Sequence, residues 1–433
     1  MARITEQPRF KCALGAMQTV QSIDRVVPIL HSSPGCSQKL GEGIGTSGYY
    51  SSHIFPNSNL GESDVVFGGE KKLQSTIRNA LRVIDADLYV VLTGCAPEIV
   101  GDDVEEIVNK FREEGYPVVV APTPGFKGNN YLGHEWILDS LIKQYLTKTD
   151  IKTKGLVNIW ADVPIQDPFW AGNYRELENL ISQLGLIPNT IFGVGRGIDN
   201  LKKIPQAEFN LLVSPWIGLG NVKLLEEKFG TPYLHYKHLP IGAVETSKFL
   251  LKIGEFAKLN KELVEKVVRD NEKEYYYYLE RFANSIAENR ISTKRFAIVG
   301  DAQYTLAITK FLTNDLGYIP LKQYITDDTP LKHREQIKKY FKDLNDGIEA
   351  EVIFETDGYV IQESIKNDDH YDYPVIIGSF WEKSLADSIK GLFISVAWPI
   401  RDRAVINGTF VGYTGGLSLL EDILTQQYDK QLS

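Results

Sequence analysis

Three observations predict an α/β protein of parallel sheets flanked by helices, arranged as three domains. Apolar, β-branched runs alternate with helix-period segments in three separate stretches. Several of those runs are continuously apolar rather than alternating, as strands buried on both faces are. At 433 residues, the chain has room for about three domains of roughly 150 residues each.

The first unit is ADLYVVLTGCAPEIVGDDVEEIVNKFREEGYPVVVAPTP, residues 86–124. Two apolar runs flank a helix whose start is marked by Asp102 and Asp103, since negative charge suits a helix N-terminus. The second places strands at GLVNIWADV (155–163) and FNLLVSP (209–215) around the helix YRELENLISQLGL (174–186). Residues 260–288, charged and free of Gly and Pro, predict a long connecting helix. Leu263, Val267, Val268, Tyr275, Tyr278, Leu279 and Phe282 fall on one face of it, and its four-tyrosine run reads as helix packing. The third unit comprises RFAIVGDAQYTLAITKFLTNDLGYIP (295–320) and PVIIGSFWEKSLADSIKGLFISVAWP (374–399). Strand–helix–strand order requires parallel sheets covered by helices. The expected domains are therefore 1–150, 151–290 (ending in the long helix) and 291–433.

Composition narrows the function. A net charge of −9 argues against nucleic-acid and membrane-surface binding, both of which need basic patches. No apolar run approaches the length of a membrane span. Three cysteines are too few and odd in number for a disulfide framework, so a reducing cytoplasm is expected. No P-loop motif G-x-x-x-x-G-K-[ST] occurs, so any phosphate-driven step belongs to another chain. IVGDAQ stands where a dinucleotide fold would carry G-x-G-x-x-G, and GVGRGID (193–199) reads as a loop. Neither G-x-S-x-G nor H-E-x-x-H is present.

The cysteines carry the remaining chemistry. Cys12, Cys36 and Cys95 form no C-x-x-C pair, and three inert buried thiols are one reading. The other is metal ligation. Cys36 and Cys95 directly follow Gly35 and Gly94, and Cys95 lies where a parallel strand ends, the side on which open α/β sheets bind ligands. Thiolates with small neighbours can approach an iron–sulfur cluster. Three ligands leave a four-thiolate site one short, to be completed by a second subunit or a bridging arrangement. His31, five residues before Cys36, is either a hydrogen-bond donor near a cluster or a satisfied structural histidine. Asp301, at a strand–helix turn, reads as a cap.

These residues, in their order, resemble component 1 of nitrogenase, and its β chain more than its α chain. The likeness rests on FKCALGAM, HSSPGC, ESDVVFGGE, LTGCAPEIVGDD and APTPGF. It continues through GNYRELENLISQLGL, LPIGAVETSKFL, VGDAQYTLAITKFL and AWPIRDRAVINGTFVGYTGGLSLLEDIL, so it covers nearly the whole chain. It implies three Rossmann-like domains. It also implies that Cys12, Cys36 and Cys95 are the β-chain ligands of an [8Fe-7S] P-cluster shared with an α-type chain in an α₂β₂ assembly. The cluster would pass electrons from an ATP-hydrolysing iron protein to a catalytic cofactor on the partner, and His31, Gly35, Gly94 and Gly125 would surround it. Phe67 matches an exposed phenylalanine at which the iron protein docks; a core Phe before a Gly-Gly turn is the competing reading. Gly125 departs from the family, in which many molybdenum-type β chains carry a serine ligand at this place. No cysteine follows Cys95, so the α-chain cysteine that anchors the catalytic cofactor is missing. Two other readings share the pattern: a nitrogenase-like reductase of sulfur compounds or tetrapyrroles with a [4Fe-4S] cluster, and a cofactor-assembly scaffold.

Overall fold

The computed structural model describes residues 9–38, 55–288, 294–368 and 373–432. Three parallel sheets follow one another along the chain. The first has the order β1 (Val26–His31), β2 (Leu88–Thr93), β3 (Val118–Pro122). Every residue of β2 is buried, which explains its unbroken apolar sequence. β1 was not among the predicted strands because VVPILH contains Pro28, which cannot donate to a ladder. The structure tolerates Pro28, opposite Val90, because β1 is an edge strand.

Between β2 and β3 the chain forms two helices, Cys95–Val100 and Val104–Glu113, rather than one. Gly101, at φ 85°, ends the first in the left-handed conformation. Asp103 caps the second by accepting from the Glu106 N–H at 3.0 Å. Asp102 is not a helix-start charge as its sequence position suggested; it turns into the protein.

The second sheet has the order β5 (Ile187–Asn189), β4 (Leu156–Trp160), β6 (Phe209–Val213), β7 (Tyr233–Tyr236). The helix Trp170–Gln183 links β4 to β5. GVGRGID is a loop only as far as Gly197, which precedes a short helix, Ile198–Lys203. The third sheet comprises β8 (Arg295–Gly300), β9 (Ile319–Pro320), β10 (Gln323–Ile325), β11 (Val352–Phe354), β12 (Val375–Gly378) and β13 (Leu392–Ser395). Its order is β11-β10-β8-β12-β13, with β9 alongside β8. Asp301 caps the helix Ala302–Asn314 through the Tyr304 N–H at 2.9 Å, as expected.

The connecting helix runs from Lys261 to Glu288 and packs against Gly242–Phe256 and the C-terminal helix Gly412–Leu432. Its buried stripe is Val264, Val268 and Tyr275, with Val267 and Leu279 partly covered. Leu263, Tyr278 and Phe282 are exposed, contrary to the predicted face, and so are Tyr276 and Tyr277. The helix is half-wrapped, so its apolar residues extend beyond the packed stripe. No described helix is long and apolar enough to cross a membrane.

Candidate functional site

Cys12 and Cys95 each start a helical turn, and Cys36 lies inside one. Cys12 closes an extended segment that bridges Asn129, and its carbonyl accepts from the Gly15 N–H at 2.8 Å to start the turn Ala13–Ala16. That segment is pinned on both sides: Lys11 N–H donates to Asn130 Oδ1 at 2.7 Å, and Asn130 N–H donates to the Lys11 carbonyl at 2.9 Å. Cys36 lies in a helical turn over residues 34–38, with Pro34 at its first position, where a missing N–H costs nothing. Cys95 begins the helix that follows β2, with Gly94 before it. The Gly94 N–H donates to the His31 carbonyl at 2.8 Å, which ties the ends of β1 and β2 together.

Gly125 locates the convergence of two of the thiols. A Cβ there would stand 3.1 Å from Cys12 Cβ, 3.7 Å from Cys12 Sγ and 3.4 Å from Cys95 Sγ. Both sulfurs therefore flank one point that only glycine leaves open. Partial burial pushes the Cys12 thiol pKa up; backbone N–H groups at Leu14 and Gly15 pull it down, and charge on Cys36 and Cys95 pushes it up again. The three thiols are thus electrostatic neighbours. Cys12 and Cys95 are exposed and Cys36 partly so, so the reading of three buried inert thiols fails. Gly94 has a packing reason, since a Cβ would lie 2.8 Å from Ser32 Cβ. Gly35 has none among the described residues, where a Cβ would meet nothing within 4 Å.

His31 is fully buried at the end of β1. Its Nδ1 pairs with Ser58 Oγ at 2.8 Å and its Nε2 with Asp102 Oδ2 at 3.0 Å, which leaves neither ring nitrogen for a thiol. Desolvation lowers its pKa against the opposing pull of Asp102. Asp102 also accepts from the Gly69 N–H with both oxygens, at 2.9 and 3.1 Å. Gly69 follows the helix Glu62–Phe67, and Phe67 is 87% exposed, so the core reading of Phe67 fails. Val65, Val66, Ile99 and Phe126 are exposed as well. The sequence reading missed Asp102 as the link among β1, this helix and the Cys95 segment. It also missed Glu98, which accepts from Thr93 Oγ1 at 2.6 Å and pairs with Lys127 beside Gly125.

Among the described residues, no group of three or more His, Cys, Asp or Glu side chains is gathered as around a single metal ion. Two soft sulfur donors flanking a glycine-cleared point, with a third cysteine nearby in the first unit, instead fit a multi-atom iron–sulfur centre that reaches each thiolate separately.

The chain as a whole is similar to known proteins. The chain is 24% identical to the nitrogenase molybdenum-iron protein beta chain of Clostridium pasteurianum, over 96% of this chain and 92% of that protein. It is 23% identical to the beta chain of the same name from Azotobacter vinelandii, over 97% and 84%, and 25% identical to that of Methanococcus maripaludis, over 96% and 93%. A solved structure described as nitrogenase Cp1 at pH 6.5 superposes with a TM-score of 0.84 at 21% identity, covering 99% of this chain and 94% of the other. The model of nitrogenase component 1 type oxidoreductases matches residues 12–427, and the chain belongs to that family.

Proposed function

We propose that this chain is the β-type subunit of a nitrogenase or nitrogenase-like reductase, and that it relays electrons. The observation that carries this is the placement of Cys12 and Cys95 around Gly125 on an open rim of the protein. The beta-chain names of its relatives support the β-type role.

Cys12, Cys36 and Cys95 would hold an iron–sulfur cluster, of the [8Fe-7S] P-cluster type, with an α-type chain supplying the other ligands. When bound, such a cluster supplies one-electron redox chemistry. This chain's residues do the rest. Cys36 and Cys95 sit in the first turns of short helices, which fix where each sulfur points. Gly125 keeps side-chain bulk from between two sulfurs. Ile99 and Phe126, each next to a site segment in sequence, are exposed, apolar surface that a partner chain would cover. The ATP-hydrolysing iron protein would dock over Phe67, whose exposure on a short helix gives an aromatic anchor of the kind that dominates interfaces. The assembly is expected to be α₂β₂ in the cytoplasm.

The test is anaerobic co-expression with an α-type chain of the same family. The complex is expected to be brown and iron-bearing, and Cys36→Ala or Cys95→Ala to abolish its cluster signal by paramagnetic resonance. An unchanged spectrum in both variants would overturn the assignment. A [4Fe-4S] spectrum in the wild type would favour the reductase of larger substrates, and a colourless complex the scaffold.

A further inference from the structure

Cys95 is held from within the first unit, since it follows β2 directly. The segment that delivers Cys12 reaches across to the third. Arg9, just upstream of Cys12, places Nη1 2.7 Å from Glu382 Oε1, and both side chains are buried. Its guanidinium also lies 5.2 Å from the ring centroid of Trp381. Lys11 Nζ lies 4.8 Å from the ring centroid of Trp398, and the two indoles meet edge to face at 6.1 Å. Between them in sequence, Phe10 packs against the cluster that contains Trp216, Leu306 and Ile325.

The receiving carboxylate is itself fixed. Glu382 Oε2 accepts from the Ser379 N–H at 2.9 Å and from the Ser379 hydroxyl at 2.7 Å, a capping box in the turn after β12. A Cβ on Gly378 would stand 2.8 Å from that same oxygen, so the approach needs a glycine there.

The strand partner of Cys12 is tied to the third unit as well. Cys12 bridges Asn129, and Asn129 Nδ2 donates to the Asp327 carbonyl, just beyond β10, at 3.1 Å. A buried ion pair adds little net stability over an apolar pair of the same shape, because both charges lose their water; its best-attested use is to specify register. The contacts here register one short segment, and that segment ends in a thiol.

We propose that the third unit clamps the Cys12 segment, with Arg9 and Glu382 as positioning residues that set where this ligand stands relative to Cys95. The inference rests on the reading of Cys12 as a cluster ligand. Capture of the cluster then depends on how the first and third units are docked.

Hydrogen exchange of the metal-free full chain tests the clamp without iron. In the wild type, the amides of residues 10–16 are expected to exchange slowly; rapid exchange there overturns the clamp whether or not any variant folds. Arg9→Met and Glu382→Gln are each expected to speed exchange in residues 10–16 about tenfold and to leave β2 unchanged. Acceleration shared equally by β2 is global loosening and overturns the proposal. In the complex with an α-type chain, Arg9→Met should lose most of its iron, and Arg9→Lys, which keeps a cation opposite Glu382, should recover part of it. Full iron in Arg9→Met overturns the positioning role. A wild-type complex without iron overturns the cluster reading instead, and the exchange result then decides the clamp by itself.

Discussion

At the residue scale, Gly125 and Asp102 show what a sequence reveals and what it hides. The three cysteines were legible because thiols are rare here and two follow glycines at predicted turns. Gly125 was legible only as a departure from a family pattern; its reason is spatial, since its missing Cβ lies between two sulfurs that are distant in sequence. Gly125→Val is therefore expected to cost the co-expressed complex most of its iron, while Gly35→Ala leaves the isolated chain's melting temperature unchanged, since it meets nothing described. Metal analysis and a thermal melt check the pair. By sequence Asp102 is a helix charge, because a sequence shows only neighbours and its partner His31 is 71 positions away. Removing one member of a buried hydrogen-bonded pair leaves its partner unsatisfied, at a cost of about 1–3 kcal/mol. Asp102→Ala is accordingly expected to lower stability by that order, measured by denaturant unfolding.

At the element scale, what positions the thiols is close approach between elements, which apolar periodicity does not encode. The helix Asn130–Ser140 lies so near the turn Ala13–Ala16 that a Cβ on Gly133 would stand 2.3 Å from the Ala13 carbonyl oxygen and 2.9 Å from Ala16 Cβ. Backbone cannot yield as a flexible side chain can, so one element must move. Gly133→Ala is expected to destabilise the fold by about 1–3 kcal/mol and, because the displaced turn begins at Cys12, to loosen iron retention more than its stability loss alone implies. Iron content compared with a second variant of equal stability separates the two effects. The helix Glu62–Phe67 presents the opposite case: it buries none of its own residues, so packing does not explain its apolar Val65-Val66-Phe67 run. Phe67→Ala should leave the melting temperature unchanged and weaken iron-protein association, read by the salt-matched binding affinity of the complex.

At the scale of the whole molecule, buried titratable groups set opposing pH slopes. The strand–helix alternation made the three sheets legible, because parallel strands covered on both faces write continuous apolar runs. The same double covering hides the polar residues trapped between the sheets, whose partners come from different units. Burial pushes Glu135, Asp301 and Asp315 each up to about 7. It pulls His134 down to about 3 and His235 to about 4. Between about pH 4 and 6.5 the native state keeps carboxyl protons that the unfolded chain releases, so those groups lose stability as pH rises. Over the same window the unfolded chain protonates histidines that the native state holds neutral, so stability is lost as pH falls. Each group contributes a slope of about 1.4 kcal/mol per pH unit, so the two histidines offset two of the three carboxyls. Above about pH 6.5 the histidines fall silent while the carboxyls continue to titrate, so stability should decline toward pH 7.5. His134→Gln tests this balance. His134 makes one side-chain hydrogen bond, with Thr19 Oγ1 at 2.9 Å, and packs on Phe192, a loss that carries no pH dependence. Removing its titration adds stability only in acid, by up to about 3 kcal/mol near pH 4. The variant's melting-temperature deficit should therefore be largest at pH 8 and shrink toward pH 4.5, whereas a deficit constant across that range would show that His134 is not held neutral by burial.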